Sequence, residues 1–300
     1  MNDLTIVIPA YNEEQSLSRF LPELITYCRT NGCRLIIIND GSRDNTRNLL
    51  SQYAEQPFFS VLHHKVNRGY GGAIKTGINA AKTPYVITID ADGQHRLDDV
   101  TALYQALRTT DADMIIGSRK KHRESRYRKL GKALIHFIAA LLMPIHIHDL
   151  NSGMKMYRTG LARQYMQLCP NNMAFSDIIT LIFINQRHLV HEHPITVTPR
   201  TTGESTISTK TAFDTVMEIL HIVTLFNPMR IFLPPAIFFI LFSAAWGLPI
   251  LFSGDGISVG TLFLFVTGLI FFFLGLIAEQ LALIRKSLSL AVRENLPADD

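Results

Sequence analysis

Two long apolar stretches near the C-terminus constrain this chain more than any other feature. Ile231 to Phe252 reads "IFLPPAIFFILFSAAWGLPILF" with no charge, and Ile257 to Ile284 reads "ISVGTLFLFVTGLIFFFLGLIAEQLALI" with one acid, Glu279, late in it. Each is long enough to cross about 30 Å of hydrocarbon. The intervening "SGDG" is a tight turn signal. A transmembrane helical hairpin is therefore expected over residues 231–286, with residues 287–300 as a tail. Arg230 precedes the first span, and Arg285, Lys286 and Arg293 follow the second, whereas the turn carries no Lys or Arg. The positive-inside rule then places both ends, and everything N-terminal, in the cytoplasm.

The rest of the 300-residue chain is long enough to bury a core of its own. Residues 1–120 alternate short apolar strands with helical patterns. The strand candidates are "LTIVIPA", "RLIIIND", "FSVLHH", "YVITIDAD" and "DMIIGSR". Glu13 to Thr30 and Asp44 to Ala54 carry helical spacing. Such alternation implies βαβ units and a mostly parallel, Rossmann-like sheet. Phe213 to Phe226 has apolar residues at helical spacing and is expected as an amphipathic interfacial helix within residues 211–230. No secretory leader is expected, because "MNDLTIVIPA" lacks a basic start and its apolar run is short. Cys28, Cys33 and Cys169 form neither a disulfide framework nor a metal spacing and read as packing residues.

Ligands of parallel sheets bind beyond the carboxyl ends of the strands. Polar residues gather at three of those ends: Tyr11-Asn12-Glu13, Asn39-Asp40-Gly41-Ser42 and Asp90-Ala91-Asp92. Two carboxylates held close repel each other, and a divalent cation relieves the repulsion. Asp90 and Asp92, with the amide oxygen of Gln94, offer hard oxygen ligands suited to Mg2+ or Mn2+. Net charge is a mild +4, and no nucleic-acid partner is expected. The stretch from Arg119 to Lys132, "RKKHRESRYRKLGK", is nevertheless dense in Lys and Arg. It is either a solvated face or a patch that meets phosphates or lipid headgroups.

The segments "PAYNE" (Pro9 to Glu13), "NDGSRDNT" (Asn39 to Thr46), "DADGQH" (Asp90 to His95) and "GSR" (Gly117 to Arg119) occur in an order and spacing that resemble the inverting family 2 glycosyltransferases. "DLNSGMKMYR" (Asp149 to Arg158) and "RTTGEST" (Arg200 to Thr206) resemble the polyprenyl-phosphate branch of that family. The resemblance implies an A-type glycosyltransferase domain over residues 1–210. It implies transfer of one sugar from a UDP- or GDP-linked donor to a polyprenyl or dolichyl phosphate at the cytoplasmic membrane face, with Mg2+ or Mn2+. For a bacterial member this would be the inner membrane. A homo-oligomer is compatible with two spans per chain.

Roles follow residue by residue. Pro9, Tyr11, Glu13, Asp40 and Asp90 would hold the donor, and Arg200 and Ser205 would close over its diphosphate. Relatives often carry Asp at Asn39 and Lys at Thr206, and Lys210 is a candidate substitute for the latter. Asp90, Asp92 and Gln94 would hold the metal, with Asp92 counted among the catalytic residues. Arg119, Arg128 and Lys132 would hold the acceptor phosphate, whose oxygen is already anionic and needs positioning rather than deprotonation. Arginine suits that task because its fork matches phosphate geometry. Asp149 would be catalytic, either orienting acceptor or sugar or supporting a nearby positive group. Its alternative is a turn residue before Ser152-Gly153. Gly41 and Ser42 shape a turn, and Asp44 reads equally as a helix cap. "NRGYGGAIKTG" (Asn67 to Gly77) either brings backbone N–H groups near a phosphate or supplies flexible turn chemistry. The pairs His146/His148 and His191/His193 are expected to alternate on strands rather than bind metal.

Two other readings are a processive polysaccharide synthase and a non-catalytic membrane scaffold. The only Trp, Trp246, lies inside a span, so the Gln-x-x-Arg-Trp pattern of such synthases is absent.

Overall fold

The computed structural model describes residues 1–119, 147–197, 224, 227–254 and 256–294. These fall into two compact units, an N-terminal α/β unit and a C-terminal helical one. The basic run beyond Arg119, the expected interfacial helix apart from residues 224 and 227–230, and Arg128, Lys132, Arg200, Ser205, Thr206 and Lys210 lie outside the described residues. Met229 and Arg230 already belong to the first C-terminal helix.

The α/β unit runs β1 (Leu4–Ala10), α1 (Glu14–Asn31), β2 (Arg34–Asn39), α2 (Thr46–Ser51), β3 (Phe59–His63), α3 (Tyr70–Ala80), β4 (Tyr85–Thr88), α4 (Leu97–Thr110), β5 (Met114–Arg119), β6 (Lys155–Arg158), α5 (Thr159–Met166), α6 (Phe175–Asn185) and β7 (Val190–Ile195). The strands form one seven-stranded sheet ordered β3-β2-β1-β4-β6-β5-β7. All five strand candidates read from the sequence are present. Pairing is parallel throughout except at β6, which is antiparallel to both β4 and β5.

The central strands are apolar on both faces because helices cover both faces of a parallel sheet. Leu4, Ile6, Val7 and Ile8 of β1 are fully buried, as are Leu35, Ile37 and Ile38 of β2. Each such side chain contributes about 1.5–3 kcal/mol of burial. A charge placed there would therefore oppose a large part of a domain's net stability of roughly 5–15 kcal/mol. Outer strands read differently. Among the described residues β7 pairs with β5 alone, and its sequence "VHEHPI" is polar with a proline, as an edge tolerates. The "HEH" alternation expected from the sequence lies on this edge.

The antiparallel β6 positions the site. Lys155, its first residue, pairs with Thr88 at the end of β4 and with Ile116 near the end of β5. The segment leading into β6 therefore lies across the carboxyl ends of both neighbours, where the motif residues are.

The second unit is a pair of helices, α7 (Met229–Phe252) and α8 (Val259–Glu294). The 24 residues of α7 span about 36 Å. Residues 229–252 and 259–284 have mean hydropathies of 2.0 and 2.5 and are largely unburied, long and apolar enough to cross a membrane. The two helices pack through small residues. A Cβ on Gly268 would lie 2.6 Å from Ile240 Cγ1, and one on Gly247 would lie 2.2 Å from Thr261 Cγ2. Phe239 and Phe271 stack with ring centroids 5.8 Å apart, and the Ser243 hydroxyl donates to the Thr261 carbonyl at 2.8 Å.

Candidate active site

Two loops at the carboxyl ends of β1 and β2 brace each other. Asn12 holds a left-handed backbone, φ 55°, and its side-chain oxygen accepts the Arg43 N–H at 2.8 Å. The Asn12 N–H donates to Ser42 Oγ at 3.0 Å, and the Glu13 N–H donates to Thr46 Oγ1 at 3.1 Å. Asp44 accepts the Glu14 N–H at 3.1 Å and the Thr46 hydroxyl at 2.6 Å, so it caps the start of α1 as well as its own turn. Desolvation pushes the Asp44 carboxyl up, but those hydrogen bonds outweigh it and leave it below its ordinary range. Asn39 accepts the Ser42 N–H at 3.0 Å, a task an amide oxygen performs as well as a carboxylate. Pro9 pairs within β1 opposite Ile38, and Tyr11 is exposed beyond the strand.

Asp40 is turned inward. Its carboxylate meets His64 Nδ1 at 2.5 Å and accepts the N–H groups of Arg68 and Gly69 at 2.8 and 2.9 Å. Three of about four acceptor positions on a carboxylate are thereby taken. The glycine-rich stretch also has an inward role. A Cβ on Gly71 would lie 2.5 Å from the Pro170 carbonyl oxygen, and the Gly72 N–H donates to the Asn171 carbonyl at 3.2 Å. Close chain packing accounts for these glycines.

β4 ends at Thr88, so Asp90 and Asp92 lie in the turn beyond the sheet. The Tyr70 hydroxyl donates to Asp90 Oδ1 at 3.1 Å, and His95 Nε2 lies 3.5 Å from Oδ2. Burial, with Asp90 alongside, holds the Tyr70 hydroxyl well above its ordinary range, so it stays a donor. The other side of Asp90 rests on Gly153, where a Cβ would lie 2.2 Å from Oδ2. Asp92 Oδ1 accepts the Gln94 N–H at 3.1 Å. The donor set Asp90, Asp92 and Gln94 is all oxygen and suits a hard divalent cation. Among the described residues no three His, Cys, Asp or Glu side chains form a metal cage, so these ligands would share the ion with substrate oxygens. Asp92 also lines a cavity of about 180 Å³ against α1. That is smaller than the roughly 300–1,000 Å³ pockets that enclose drug-sized ligands, and the open strand ends are the better place for a donor.

Arg119, at the end of β5, is clamped by Asp149. Nε and Nη2 each donate to a carboxylate oxygen at 2.8 Å, and the Arg119 N–H adds a third bond at 3.0 Å. The Arg119 side chain is 47% exposed and the Asp149 side chain 15%, so the acid anchors and the guanidinium faces outward. Desolvation raises Asp149, but hydrogen bonds from Arg119 outweigh it and hold the carboxyl below its usual range. The same bonds hold Arg119 above its usual value. Of the two roles open for Asp149, the contacts present are those of a support for a positive group.

Glu192 of β7 secures the start of this segment. Its Oε1 accepts the N–H groups of His148 and Asp149, both at 2.9 Å, and Oε2 lies 2.8 Å from His148 Nδ1. His148 therefore sits in a turn, not on a strand as its spacing suggested, because Glu192 draws it to the sheet edge. His146 lies outside the described residues.

His64, Tyr70, Lys155 and Glu192 build the site but received no role of their own in the sequence, although Tyr70 and Lys155 lie inside quoted motifs. Lys155 left a trace, as a lone charge in the apolar strand "MKMY".

Residues 5–166 match the profile of glycosyl transferase family 2, more than half of the chain. The chain belongs to glycosyl transferase family 2. Residues 227–284 of this family 2 glycosyltransferase match the GtrB C-terminal hairpin, which fits α7 and α8 and makes it a membrane protein. It is 32% identical over 169 residues to a dolichyl-phosphate beta-glucosyltransferase, ALG5A, of Trichomonas vaginalis, covering 51% of this chain and 52% of that protein. The chain thus spans about half the length of that relative. It is 28% identical over 300 residues to an undecaprenyl-phosphate 4-deoxy-4-formamido-L-arabinose transferase of Pseudomonas paraeruginosa, covering 93% of this chain and 84% of that protein. Among solved structures, glucosyl-3-phosphoglycerate synthase of Mycobacterium tuberculosis, in complex with Mn2+, UDP-glucose and phosphoglyceric acid, superposes with a TM-score of 0.56. That match has 16% identity and covers 73% of this chain and 79% of that one. The A-type glycosyltransferase fold expected from the motifs is the fold observed.

Proposed function

We propose that this family 2 enzyme transfers one sugar from a nucleotide sugar, UDP- or GDP-linked, to a polyprenyl phosphate. The α/β unit would face the cytoplasm, on the side carrying Arg230, Arg285 and Lys286. The observation that carries the reading is the segment Asp149–Gly153. Its first residue clamps Arg119 and its last makes room for Asp90. One short segment thereby links Arg119, the proposed phosphate-binding cation, with Asp90, a proposed donor and metal ligand.

The chemistry needs no base from the protein. A phosphate oxygen of the acceptor attacks the anomeric carbon from the face opposite the nucleoside diphosphate. The new C–O bond forms as the old one breaks, and the configuration inverts. Arg119 holds the acceptor phosphate for in-line attack, with its own direction fixed by Asp149. Asp90 is held in place by Tyr70 and Gly153. A Mg2+ or Mn2+ ion bound by Asp90, Asp92 and Gln94 would supply positive charge for the leaving diphosphate. Tyr11, Glu13 and the remaining acceptor position of Asp40 are the groups for the nucleoside, and Pro9 shapes their loop. Arg200 and Ser205 are proposed to close over the diphosphate, and Arg128 and Lys132 to assist Arg119. Attachment to the membrane suits an acceptor whose tail lies in the bilayer, and names of the two relatives contain such acceptors.

A panel of UDP- and GDP-sugars in a thermal-shift assay on the full-length protein in detergent, with and without Mn2+, tests the donor half. One nucleotide sugar is expected to raise the melting temperature in a Mn2+-dependent way, because a ligand that binds only the folded state stabilises it. A flat response across the panel overturns the donor assignment.

A further inference from the structure

The buried Lys155 has no place in the chemistry above. It is the first residue of β6 and its side chain is fully enclosed. Lysine is rarely buried completely unless paired. Here its three donors go to neutral oxygens. They are the Leu150 carbonyl at 2.6 Å, the Ser176 carbonyl, and Thr180 Oγ1 at 2.9 Å. Three acceptors match the three protons of an ammonium. Leu150 lies in the segment before β6, and Ser176 and Thr180 lie on α6.

That segment is held in an unusual way. The Leu150 carbonyl accepts from Lys155, the Asn151 carbonyl from Arg119 at 3.1 Å, the Ser152 carbonyl from the Ser176 hydroxyl at 2.7 Å, and the Gly153 carbonyl from the Thr88 hydroxyl at 3.1 Å. Four consecutive carbonyls are thus taken by side chains from β6, β5, α6 and β4. Asp149 and Asp90 occupy the two ends of the same segment. A displacement at its Leu150 end moves the clamp on Arg119, while the Gly153 end, against Asp90, is held separately by Thr88.

We propose that Lys155 is a positioning residue that fastens the Asp149–Gly153 segment to α6 and so sets the direction in which Arg119 meets the acceptor phosphate. This rests on the function proposed above. Lys155 touches no reacting atom and acts through Leu150, Asp149 and Arg119. The ionisable groups around it are Asp177 on α6, Asp149, Cys169 and Arg119. Burial pushes its pKa down to about 7, while Asp177 and Asp149 pull it up. The cage of three acceptors favours the ammonium over the neutral amine, which has one proton fewer.

The test uses full-length protein in detergent and two variants. Lys155→Met keeps the length of the side chain and removes the ammonium. Thr180→Val removes one acceptor on the α6 side, and it serves alone if Lys155→Met does not fold. Hydrogen exchange at the amides of residues 149–153 is expected to accelerate in both variants, with exchange in β1 and β2 unchanged. In Lys155→Met, kcat/KM for polyprenyl phosphate is expected to fall about 100-fold, as a misplacement near 1 Å costs. The fall in Thr180→Val should be about tenfold, the scale of one hydrogen bond to a charged group. Nucleotide-sugar binding should change less than about threefold. Unaltered exchange at 149–153 overturns the proposal, whether or not the protein transfers sugar. So does an equal loss of donor binding and acceptor kinetics, the pattern of general unfolding. A wild-type enzyme that transfers nothing to polyprenyl phosphate overturns the proposed function, while the exchange result still decides the role of Lys155.

Discussion

Arg119 and Asp149 form a two-pronged ion pair, with Nε and Nη2 each 2.8 Å from a carboxylate oxygen and the Arg119 backbone N–H on the same acid at 3.0 Å. Only Arg presents two donors in the fixed fork that this geometry uses. Arg119→Lys keeps the charge and loses the fork. Its kcat/KM for polyprenyl phosphate is expected to fall by about 10- to 100-fold, about 1.5–3 kcal/mol for a charge-assisted hydrogen bond. Nucleotide-sugar binding should stay near the wild-type value. Steady-state kinetics with the acceptor varied, beside donor binding by thermal shift, separates the two.

Asp149 also makes a statement about pH. Its carboxyl is held below the ordinary 3.8 in the folded state, chiefly by Arg119 working against desolvation. Its contribution to stability is therefore fully present above the unfolded value and lost as pH falls through the depressed folded value. Asp149→Asn is expected to lower the melting temperature at pH 7 and to flatten its fall towards acid pH, because the variant has no carboxyl to protonate there. Melting temperatures from pH 7 down to pH 3, for both proteins, check this.

Lys155 gives a slope of the same direction in a higher pH window. Burial lowers its pKa from 10.5 to about 7, so between those values the unfolded chain binds a proton that the folded chain gives up. Stability from this group therefore rises with pH over that window, by at most about 1.4 kcal/mol per pH unit. Lys155→Met removes that slope. Melting temperatures between pH 7 and pH 10 should show a flatter dependence in the variant than in the wild type.

In the proposed reaction, Gly153 is where the segment that clamps Arg119 meets Asp90. Alanine there places a methyl group 2.2 Å from Asp90 Oδ2, and the carboxylate must turn away from its present position beside Tyr70. Gly153→Ala is expected to weaken Mn2+ binding about 10- to 100-fold, as a disturbed supporting shell does. Manganese titration by electron paramagnetic resonance in the presence of nucleoside diphosphate measures it. Unchanged Mn2+ affinity would remove Asp90 from the metal site.

In the hairpin, Gly268 lets α8 approach α7, since a Cβ there would lie 2.6 Å from Ile240 Cγ1 and 3.0 Å from the Ala236 carbonyl oxygen. Small residues at such contacts allow close helix packing in a bilayer. Gly268→Val is expected to lower the thermal stability of the detergent-solubilised hairpin while leaving nucleotide-sugar binding by the α/β unit unchanged. Tryptophan fluorescence reports the first effect cleanly, because Trp246 on α7 is the only Trp in the chain.

Much of this arrangement is legible in the residues. The apolar runs of β1 and β2 are buried on both faces, so their strands show without alternation, and the length of α7 and α8 fixes the hairpin. The polar strand ends were legible as a group because acids at the ends of apolar strands have little packing reason to be there. The inward turn of Asp40 was not legible, because its partners His64, Arg68 and Gly69 lie 24 or more residues away. Glu192 was hidden between two histidines whose spacing reads only as alternation on a strand. Lys155 reads as a misplaced charge until Leu150, Ser176 and Thr180 are seen around it. Antiparallel β6 is the cause of several of these surprises, since it folds the Asp149–Gly153 segment back over strand ends that sequence order keeps far apart.

The most direct measurement is sugar transfer by the full-length protein in detergent, supplied with a nucleotide sugar, Mn2+ and polyprenyl phosphate, with the lipid product read by mass spectrometry. The expected product is one sugar per lipid phosphate, with inverted anomeric configuration. Transfer should fall below detection when EDTA removes the metal or when Asp92 is changed to Ala. A polymer on the lipid, donor consumption with no sugar on the lipid phosphate, or full transfer by Asp92→Ala would contradict the proposed reaction.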